Sequence, residues 1–287
     1  STGFTADEVA GQSTRILRSG RHDRAFYAEM WDSLNRSGFW QGELWSNSRD
    51  GKEFPKWLTI SAVKGSGGAV THYIGTYVDI SERKQAQEKI RRLAFYDQLT
   101  ELPNRELLRD RVQQAMAGNQ RDGHYGAVLL MDLDNFKSLN DSRGHACGDQ
   151  LLIQASRRLY SLAGPSDTVA RLGGDEFVIL LSSVEGVALT EVANAIEVQC
   201  LRILEALRQP YSLMGSDFHC TASVGATLFR GQETPVSDIL RQADLSMYQA
   251  KKAGGDQFAF FDSEMESAAV AHAQLGEDLR LAIQTGQ

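Results

Sequence analysis

The sequence predicts an α+β protein of two parts, and three observations support that prediction. Residues 1–80 contain short segments of alternating hydrophobicity after one early amphipathic helix. Residues 97–262 contain a continuous apolar run at 127–131 and a hairpin-like pair of apolar segments at 168–181. Amphipathic helices lie between these strands, so we expect a central, mostly antiparallel sheet flanked by helices that pack on one face.

The composition excludes some classes of partner. The chain of 287 residues has a formal net charge of −7, which argues against nucleic acid or an anionic membrane surface as the main partner. A nucleotide held through metal ions stays compatible, because the cations offset the phosphate charge. Cys147, Cys200 and Cys220 are widely spaced and typical of free thiols in a reducing compartment. No apolar run is long enough to span a bilayer, so we expect a cytoplasmic location, and a membrane tether in a longer protein is left open.

Residues 1–80 have the pattern of a helix followed by a three-stranded meander. The helix is expected at 24–35, and the strands are expected at 40–46, 56–64 and 71–79. The order of these segments and three short motifs resemble a PAS sensory domain: Trp40-Gln-Gly-Glu43, Asp50-Gly51-Lys52 and Asp79-Ile80-Ser81. PAS domains begin with two further strands, so the resemblance implies a domain truncated at its N-terminus.

A bound cofactor in this first part is one of two interpretations. His22 and His72 could ligate haem, or they could be ordinary surface and strand histidines. No cysteine precedes Cys147, which excludes flavin–cysteine photochemistry in this part. The functional interpretation is signal sensing or a dimer contact, and the structural one is a packing domain without ligand.

Residues 81–96 predict a helical linker. The segment is rich in charged helix formers, and Ala86, Ile90 and Leu93 recur at three- and four-residue steps. This narrow apolar seam predicts a homodimer formed through the PAS part and the linker helix. The alternative is a solvated single helix between two domains.

Carboxylates stand at the ends of two predicted strands in the second part. The apolar run 127–131 ends on Asp132, and Asp175 and Glu176 follow Gly173-Gly174, which we expect to form the two-residue centre of a primed hairpin turn. If the two strands are neighbours, three carboxylates converge, which is costly unless cations lie between them. The alternative is an ordinary exposed hairpin whose acidic residues serve solubility.

Further polar residues supply what a nucleotide would need. Lys137 and Lys251 could meet phosphates, and Asn140 and Asp149 offer the acceptor and donor groups that a guanine base requires. Each has a simpler explanation taken alone: a surface lysine for Lys137, a turn residue for Asn140, and a helix N-cap for Asp149.

Four motifs resemble the GGDEF family of diguanylate cyclases in order and spacing over residues 97–262. They are Asp97-x-Leu-Thr-x-Leu-Pro-Asn-Arg105, Asp132-x-Asp134-x-Phe136-Lys137-x-x-Asn140-Asp141-x-x-Gly144-His145-x-x-Gly148-Asp149, Arg171-x-Gly-Gly-Asp-Glu-Phe177 and Ala243-Asp244-x-x-Met247-Tyr248-x-Ala250-Lys251. The resemblance implies a fold like nucleotidyl cyclase and polymerase palm domains. It also implies condensation of two GTP molecules into cyclic di-GMP plus pyrophosphate by a dimer in which each half holds one GTP.

The resemblance also implies roles for individual residues. The metal, Mg²⁺ or Mn²⁺, would be held by Asp132, the Leu133 carbonyl, Asp175 and Glu176. Catalysis would rest on Asp175, Glu176 and Lys137, and which carboxylate is the base is left open, with Asp175 favoured. The substrate would be bound by Asn140, His145, Asp149, Gly173, Gly174 and Lys251.

Two departures from the family pattern bear on activity. Gly164 stands where the family has the arginine of its product-inhibition motif, and Gly255 stands where it has a second phosphate-binding cation. Gly255 keeps open an alternative function, a catalytically weak GTP-binding module that regulates an adjoining EAL phosphodiesterase. Residues 263–287 resemble the helix that leads to such a domain, so we expect the chain to be a piece of a PAS–GGDEF–EAL protein.

Overall fold

The computed structural model describes residues 2–184 and 189–261. The chain divides into two compact units between Arg91 and Arg92. The helix expected within residues 263–287 lies outside the described residues. Within the described ranges, no helix combines the length and apolar character needed to cross a membrane.

The first unit contains the predicted helix and meander. Its strands pair antiparallel in the order β1-β2-β3. Its elements are α1 (Ala6–Val9), a 3-10 helix (Thr14–Leu17), α2 (Arg24–Ser37), β1 (Phe39–Asn47), β2 (Glu53–Lys64) and β3 (Val70–Asp79).

Local sequence explains why α2 begins and ends where it does. Asp23 caps its start by accepting a hydrogen bond from the Phe26 amide at 2.9 Å, and Gly38 ends it with a left-handed φ of 73°. Met30 and Leu34, one turn apart, are the buried side chains of this helix. The spacing therefore presents one apolar stripe to the sheet.

The predicted linker helix is α3 (Ser81–Phe95). None of its described side chains is buried, and Ile90 and Leu93 of the expected seam are 65% and 53% exposed. That exposure suits both a dimer seam and a solvated helix, so dimerisation stays a prediction.

The second unit is built on a sheet with the strand order β10-β9-β4-β6-β5. Neighbouring strands are antiparallel except β10 and β9, so the mostly antiparallel sheet is confirmed. The elements are α4 (Arg105–Asp122), β4 (Tyr125–Leu133), α5 (Phe136–Arg143), α6 (His145–Leu162), β5 (Thr168–Gly173), β6 (Glu176–Val184), α7 (Leu189–Arg208), β7 (Tyr211–Leu213), β8 (Ser216–Phe218), β9 (Ala222–Phe229), α8 (Val236–Lys252) and β10 (Phe258–Phe260).

Helices cover both faces of this sheet, so the expectation of helices on one face is wrong. Leu129 and Met131 of β4 belong to a core with α6 and α7, whereas Val128 and Leu130 belong to a separate core with α4 and α8. Alternate residues of a strand point to opposite faces, and a continuous apolar run therefore needs cover on both.

Helix α8 packs against β9 at unusually close range. A Cβ atom added to Gly225 of β9 would lie 2.0 Å from the Ala243 carbonyl oxygen and 2.2 Å from the Met247 amide nitrogen. Only glycine allows the helix backbone this close to the strand. The position of α8, which carries Lys251, is thereby fixed relative to the sheet.

Candidate functional site

The carboxylates predicted to converge lie on neighbouring strands. Asp132 near the end of β4 is directly opposite Glu176 at the start of β6. The Leu133 amide donates a hydrogen bond to the Asp175 carbonyl oxygen at 3.4 Å, which links the hairpin turn to the end of β4. The sheet therefore gathers the three acidic residues where β4 ends and β6 begins.

The hairpin turn is displaced by one residue from its predicted centre. Gly173 pairs with Glu176, so the turn residues are Gly174 and Asp175 rather than the two glycines. Gly174 has a φ of +52° and Gly173 a φ of +143°, both in the region that favours glycine. A register shift between Arg171 and Gly173 takes up the extra residue.

The Arg171 side chain links the hairpin turn to Asp97 by hydrogen bonds. Its Nε and Nη2 donate to the Gly174 carbonyl oxygen at 3.0 and 2.6 Å, and its Nη1 donates to Asp97 Oδ1 at 2.8 Å. The same Asp97 oxygen accepts from the Thr100 amide and hydroxyl. Two motifs 74 residues apart are thus joined through one nearly buried guanidinium.

Burial and mutual repulsion oppose the charged form of the two facing carboxylates. Burial raises the pKa of Asp132; the hydrogen bond from Lys251 acts against this, and Asp175 and Asp134 add to the rise. Burial likewise raises the pKa of Glu176, together with Asp244, while Arg105 at 3.9 Å acts in the opposite direction.

Lys251 forms an ion pair with Asp132, with Nζ 2.6 Å from Oδ1. Burial opposes its charge, but the hydrogen bond to Asp132 and the negative charges of Asp132, Asp175 and Asp134 together outweigh that effect, and the pKa of Lys251 is raised. The lysine therefore stays protonated beside the carboxylates at neutral pH.

The oxygen atoms gathered at this site are chemically suited to bind a divalent cation. Carboxylate and carbonyl oxygens are the ligands that Mg²⁺ and Mn²⁺ prefer, and the repulsion among Asp132, Asp175 and Glu176 is what such a cation would relieve. Among residues 2–184 and 189–261, however, no group of three acidic, histidine or cysteine residues is arranged to hold a metal ion as the side chains stand. The metal ligand set therefore stays a prediction.

The residues predicted to bind guanine lie on two consecutive helices. Asn140 is on α5, and its Oδ1 is buried without a hydrogen-bond partner within the described residues. A Cβ added to Gly148 of α6 would lie 2.0 Å from that oxygen, so glycine makes room for the amide. Asp149 is exposed within α6, which begins at His145, so the alternative that Asp149 is the helix N-cap is wrong.

The remaining predicted site residues differ in their surroundings. Lys137 is exposed on α5, and His145 is exposed at the start of α6. The short helix α5 was not predicted from the sequence. Its segment is mostly polar, and its two buried apolar side chains, Phe136 and Leu139, are too few to form a clear helical pattern.

Asp134 lies at the site, although its motif alone predicted no role for it. It accepts hydrogen bonds from the Thr221 and Ser223 hydroxyls and from the Asp256 amide, at 2.7, 2.8 and 3.0 Å. The sequence contained a signal for this residue, because Asp134 is the second acid of the Asp132-x-Asp134 motif. Gly255 lies against this carboxylate, because its Cβ would be 3.0 Å from Oδ2.

Comparisons with known proteins find GGDEF and PAS domains similar to this chain. The family profile "Diguanylate cyclase, GGDEF domain" matches residues 94–257, and a profile for "PAS domain" matches residues 1–82. Among solved structures, the GGDEF domain of Pseudomonas aeruginosa TpbB (or YfiN) is similar, with a TM-score of 0.56, 30% identity, and coverage of 61% of this chain and 98% of that one. The diguanylate cyclase SiaD of the same organism, solved in complex with its activator SiaC, has a TM-score of 0.52, 32% identity, and coverage of 63% and 69%.

Two curated relatives are similar over most or all of the chain. The bifunctional diguanylate cyclase/cyclic di-GMP phosphodiesterase MucR of Pseudomonas aeruginosa is 38% identical over 203 residues, which covers 71% of this chain and 29% of MucR. The cyclic di-GMP phosphodiesterase PdeR of Escherichia coli is 34% identical over 287 residues, which covers 100% of this chain and 42% of PdeR. The chain therefore spans less than half the length of these two relatives.

Proposed function

The chain belongs to the GGDEF family of diguanylate cyclase domains and also carries a PAS domain, and from this premise we propose that it condenses two GTP molecules into cyclic di-GMP under PAS control. The observation that carries the proposal is the pairing of Asp132 with Glu176 across neighbouring strands, with the Lys251 ammonium 2.6 Å from Asp132. This arrangement combines oxygen ligands for a metal with a cation for phosphate, which is what nucleotidyl transfer requires.

The metal would be held by Asp132, the Leu133 carbonyl, Asp175 and Glu176. When bound, Mg²⁺ or Mn²⁺ supplies positive charge that offsets the triphosphate and makes a hydroxyl easier to deprotonate. Lys251 would add a fixed positive charge beside Asp132, where it can neutralise phosphate, and Lys137 would contribute a second one from α5.

In the proposed reaction the 3′-oxygen of one GTP attacks the α-phosphorus of the other. A new O–P bond forms as the bond to the bridging oxygen of the β-phosphate breaks, and pyrophosphate leaves. The same step with the roles of the two nucleotides exchanged closes the ring and releases a second pyrophosphate. The hydroxyl proton passes to a carboxylate oxygen of the hairpin.

Residues of helices α5 and α6 would recognise the guanine base. Asn140 has an unpartnered buried oxygen, and Asp149 offers an exposed carboxylate nine positions later. An amide and a carboxylate together can accept from the amino and imino groups of guanine and donate to its carbonyl, which adenine cannot match. An unpaired buried acceptor also makes a non-complementary base costly to bind.

The test is product formation from GTP and Mg²⁺, followed by chromatography. We expect Asp175→Asn and Glu176→Gln to abolish cyclic di-GMP synthesis while circular dichroism stays unchanged. Asp217→Asn, an exposed acid on β8, is the matched control and should retain the wild-type rate. Wild-type rates in both hairpin variants would refute the assignment.

A second candidate function, a GTP-binding module that regulates an attached phosphodiesterase, is favoured by Gly255. This residue has a φ of +72° and lies against Asp134, so the loop conformation suits glycine rather than the family's phosphate-binding cation. One lost charge-assisted contact weakens binding by about 1.5–3 kcal/mol. Measuring GTP affinity and product on one sample separates the candidates, because tight binding without product supports the regulatory module.

Turnover would also need a second copy of the chain, since each domain holds one GTP. We propose that the homodimer forms through the PAS part and the exposed seam of α3. Light scattering should give a dimer mass for the wild type, and Ile90→Lys with Leu93→Lys should give a monomer without activity. An active monomer would contradict the proposal.

A further inference from the structure

The first unit contains a cavity of about 340 Å³ between α2 and one face of its sheet. Tyr27 and Trp31 of α2 line it on the helix side, and Ser46, Lys56 and Tyr77 line it on the sheet side. The volume lies at the lower end of the range for small-molecule sites, and aromatic walls are typical of such sites.

Lys56 is an unusual residue for such a wall. It is only 4% exposed, yet within the described residues it forms no ion pair or hydrogen bond with an acidic side chain. Its cross-strand neighbour Asp79 instead accepts a hydrogen bond from the Ser81 amide at 2.9 Å. The nearest aromatic contact is the Tyr77 ring, whose centroid is 4.9 Å from Nζ. A buried ammonium without a counter-charge is costly.

Ser46 supplies a second unsatisfied group at the same cavity. Its hydroxyl is fully buried and has no hydrogen-bond partner within the described residues. Leu44 pairs with Lys56 across β1 and β2, and Ser46 lies two positions further along β1, so Ser46 and Lys56 share one face of the sheet. A cationic residue and a hydroxyl residue therefore line the same cavity from one face of the sheet.

Neither histidine considered as a haem ligand lines this cavity. His22 Nε2 accepts a hydrogen bond from the Trp45 amide at 3.0 Å, and the ring of His22 stacks on Phe26. His72 lies on the exposed strand β3 beside Thr71. The described geometry gives no support to a haem site.

We propose that this cavity binds a small organic carboxylate whose apolar or aromatic body lies among the aromatic walls. The carboxylate would accept hydrogen bonds from the Lys56 ammonium and the Ser46 hydroxyl, which supplies the missing counter-charge and the missing partner together. One buried cation matches one negative charge, and the apolar walls match a body that inorganic phosphate lacks. Arg18, whose guanidinium stacks over Tyr27 at 4.0 Å, lies at the same cavity and adds positive charge near the bound anion.

The experiment compares phenylacetate with its neutral analogue phenylacetamide on the 287-residue chain, by ligand-observed NMR titration. Phenylacetate should bind in the millimolar range or tighter, and phenylacetamide should bind about tenfold more weakly or worse, because it lacks the charge-assisted contact. Lys56→Met should reduce phenylacetate affinity about tenfold or more and bring the acid and the amide to similar affinity.

Two further variants keep the test specific. Lys64→Met, at the exposed end of the same strand, should leave phenylacetate binding unchanged. Ser46→Ala should weaken phenylacetate binding less than Lys56→Met does. Thermal melting reports folding, and Lys56→Met should melt no lower than the wild type because it removes an unpaired buried charge. Equal affinity for acid and amide, no binding of phenylacetate, or an equal loss in Lys64→Met would overturn the proposal.

Discussion

The contact between Asp97 and Arg171 offers a sharp test of how the hairpin is held. Asp97→Asn removes the negative charge but keeps an oxygen that can accept from Thr100. Arg171→Met removes the guanidinium and with it the two hydrogen bonds to the Gly174 carbonyl oxygen. The pair of single variants and the double variant form a thermodynamic cycle that isolates the interaction.

The burial of the two side chains sets the expected magnitude. The Arg171 and Asp97 side chains are 10% and 22% exposed, and their contact is 2.8 Å long. Exposed ion pairs contribute about 0–1 kcal/mol, whereas removing one partner of a buried pair costs about 3–5 kcal/mol. For this partly buried pair we expect about 2 kcal/mol for Asp97→Asn, about 3 kcal/mol for Arg171→Met, and a coupling energy of about 1–2 kcal/mol.

The distribution of tryptophan provides an internal control for the assay. All four tryptophans lie in the first unit, at residues 31, 40, 45 and 57. Urea unfolding followed by circular dichroism at the helix band reports both units, whereas tryptophan fluorescence reports the first alone. The variants should shift the circular dichroism transition of the second unit and leave the fluorescence transition in place. A coupling energy near zero, or an equal shift in both signals, would refute the assigned role of Arg171.

The contact also predicts a dependence on pH. Burial acts to raise the pKa of Asp97, but the hydrogen bonds from Thr100 and Arg171 outweigh it and hold the pKa below its usual value. A depressed folded pKa contributes stability above the unfolded pKa of about 3.9, and that contribution is lost as the pH falls through the folded pKa. The stability difference between wild type and Asp97→Asn should therefore be complete at neutral pH and shrink below about pH 4.

Four further predictions follow from glycine positions in the second unit. Gly225→Ala should destabilise the unit by about 3 kcal/mol or more in urea unfolding, because the new methyl group meets helix backbone that cannot move aside. Gly148→Ala should lower GTP affinity in calorimetry by displacing the Asn140 amide, and unchanged affinity would count against Asn140 as a guanine contact. Gly255→Arg should cost about 1 kcal/mol of stability through its positive φ, yet raise GTP affinity about tenfold if the missing cation limits binding. Cyclic di-GMP should not bind with nanomolar-to-micromolar affinity at the position of Gly164, and calorimetric binding in that range would contradict this.

The sequence predicted the elements of the second unit well where side-chain periodicity determines them. The apolar run expected at 127–131 lies within β4, and the paired segments expected at 168–181 form β5 and β6. The carboxylates at the end of β4 and the start of β6 are neighbours as expected. Periodicity identifies which side of a helix is apolar but not which face of the sheet that side packs against. The presence of helices on both faces of the sheet was therefore not predicted. The one-residue displacement of the hairpin turn was missed for a related reason, since a bulge next to Arg171 changes the register without changing the hydrophobic pattern.

The candidate site was harder to predict because its parts come from distant segments. The contact between Lys251 and Asp132 joins residues 119 apart in sequence, and only the packing of α8 on the sheet brings them together. The support of the turn by Arg171 was also missed, although Asp97 and Arg171 both belong to motifs noted in the sequence. A motif identifies which residues matter, but it does not state which of them contact each other.

The close contact of α8 with β9 has a consequence for how the site forms during synthesis of the chain. Asp132 and Glu176 emerge from the ribosome well before Gly225 and Lys251 do, and β9 occupies the place between β4 and β10 in the sheet. The nascent domain therefore holds its carboxylates without their lysine until strand and helix dock together. Because Gly225 lets the backbone of α8 lie directly on β9, the docking of this strand and helix against β4 also brings the Lys251 ammonium to Asp132.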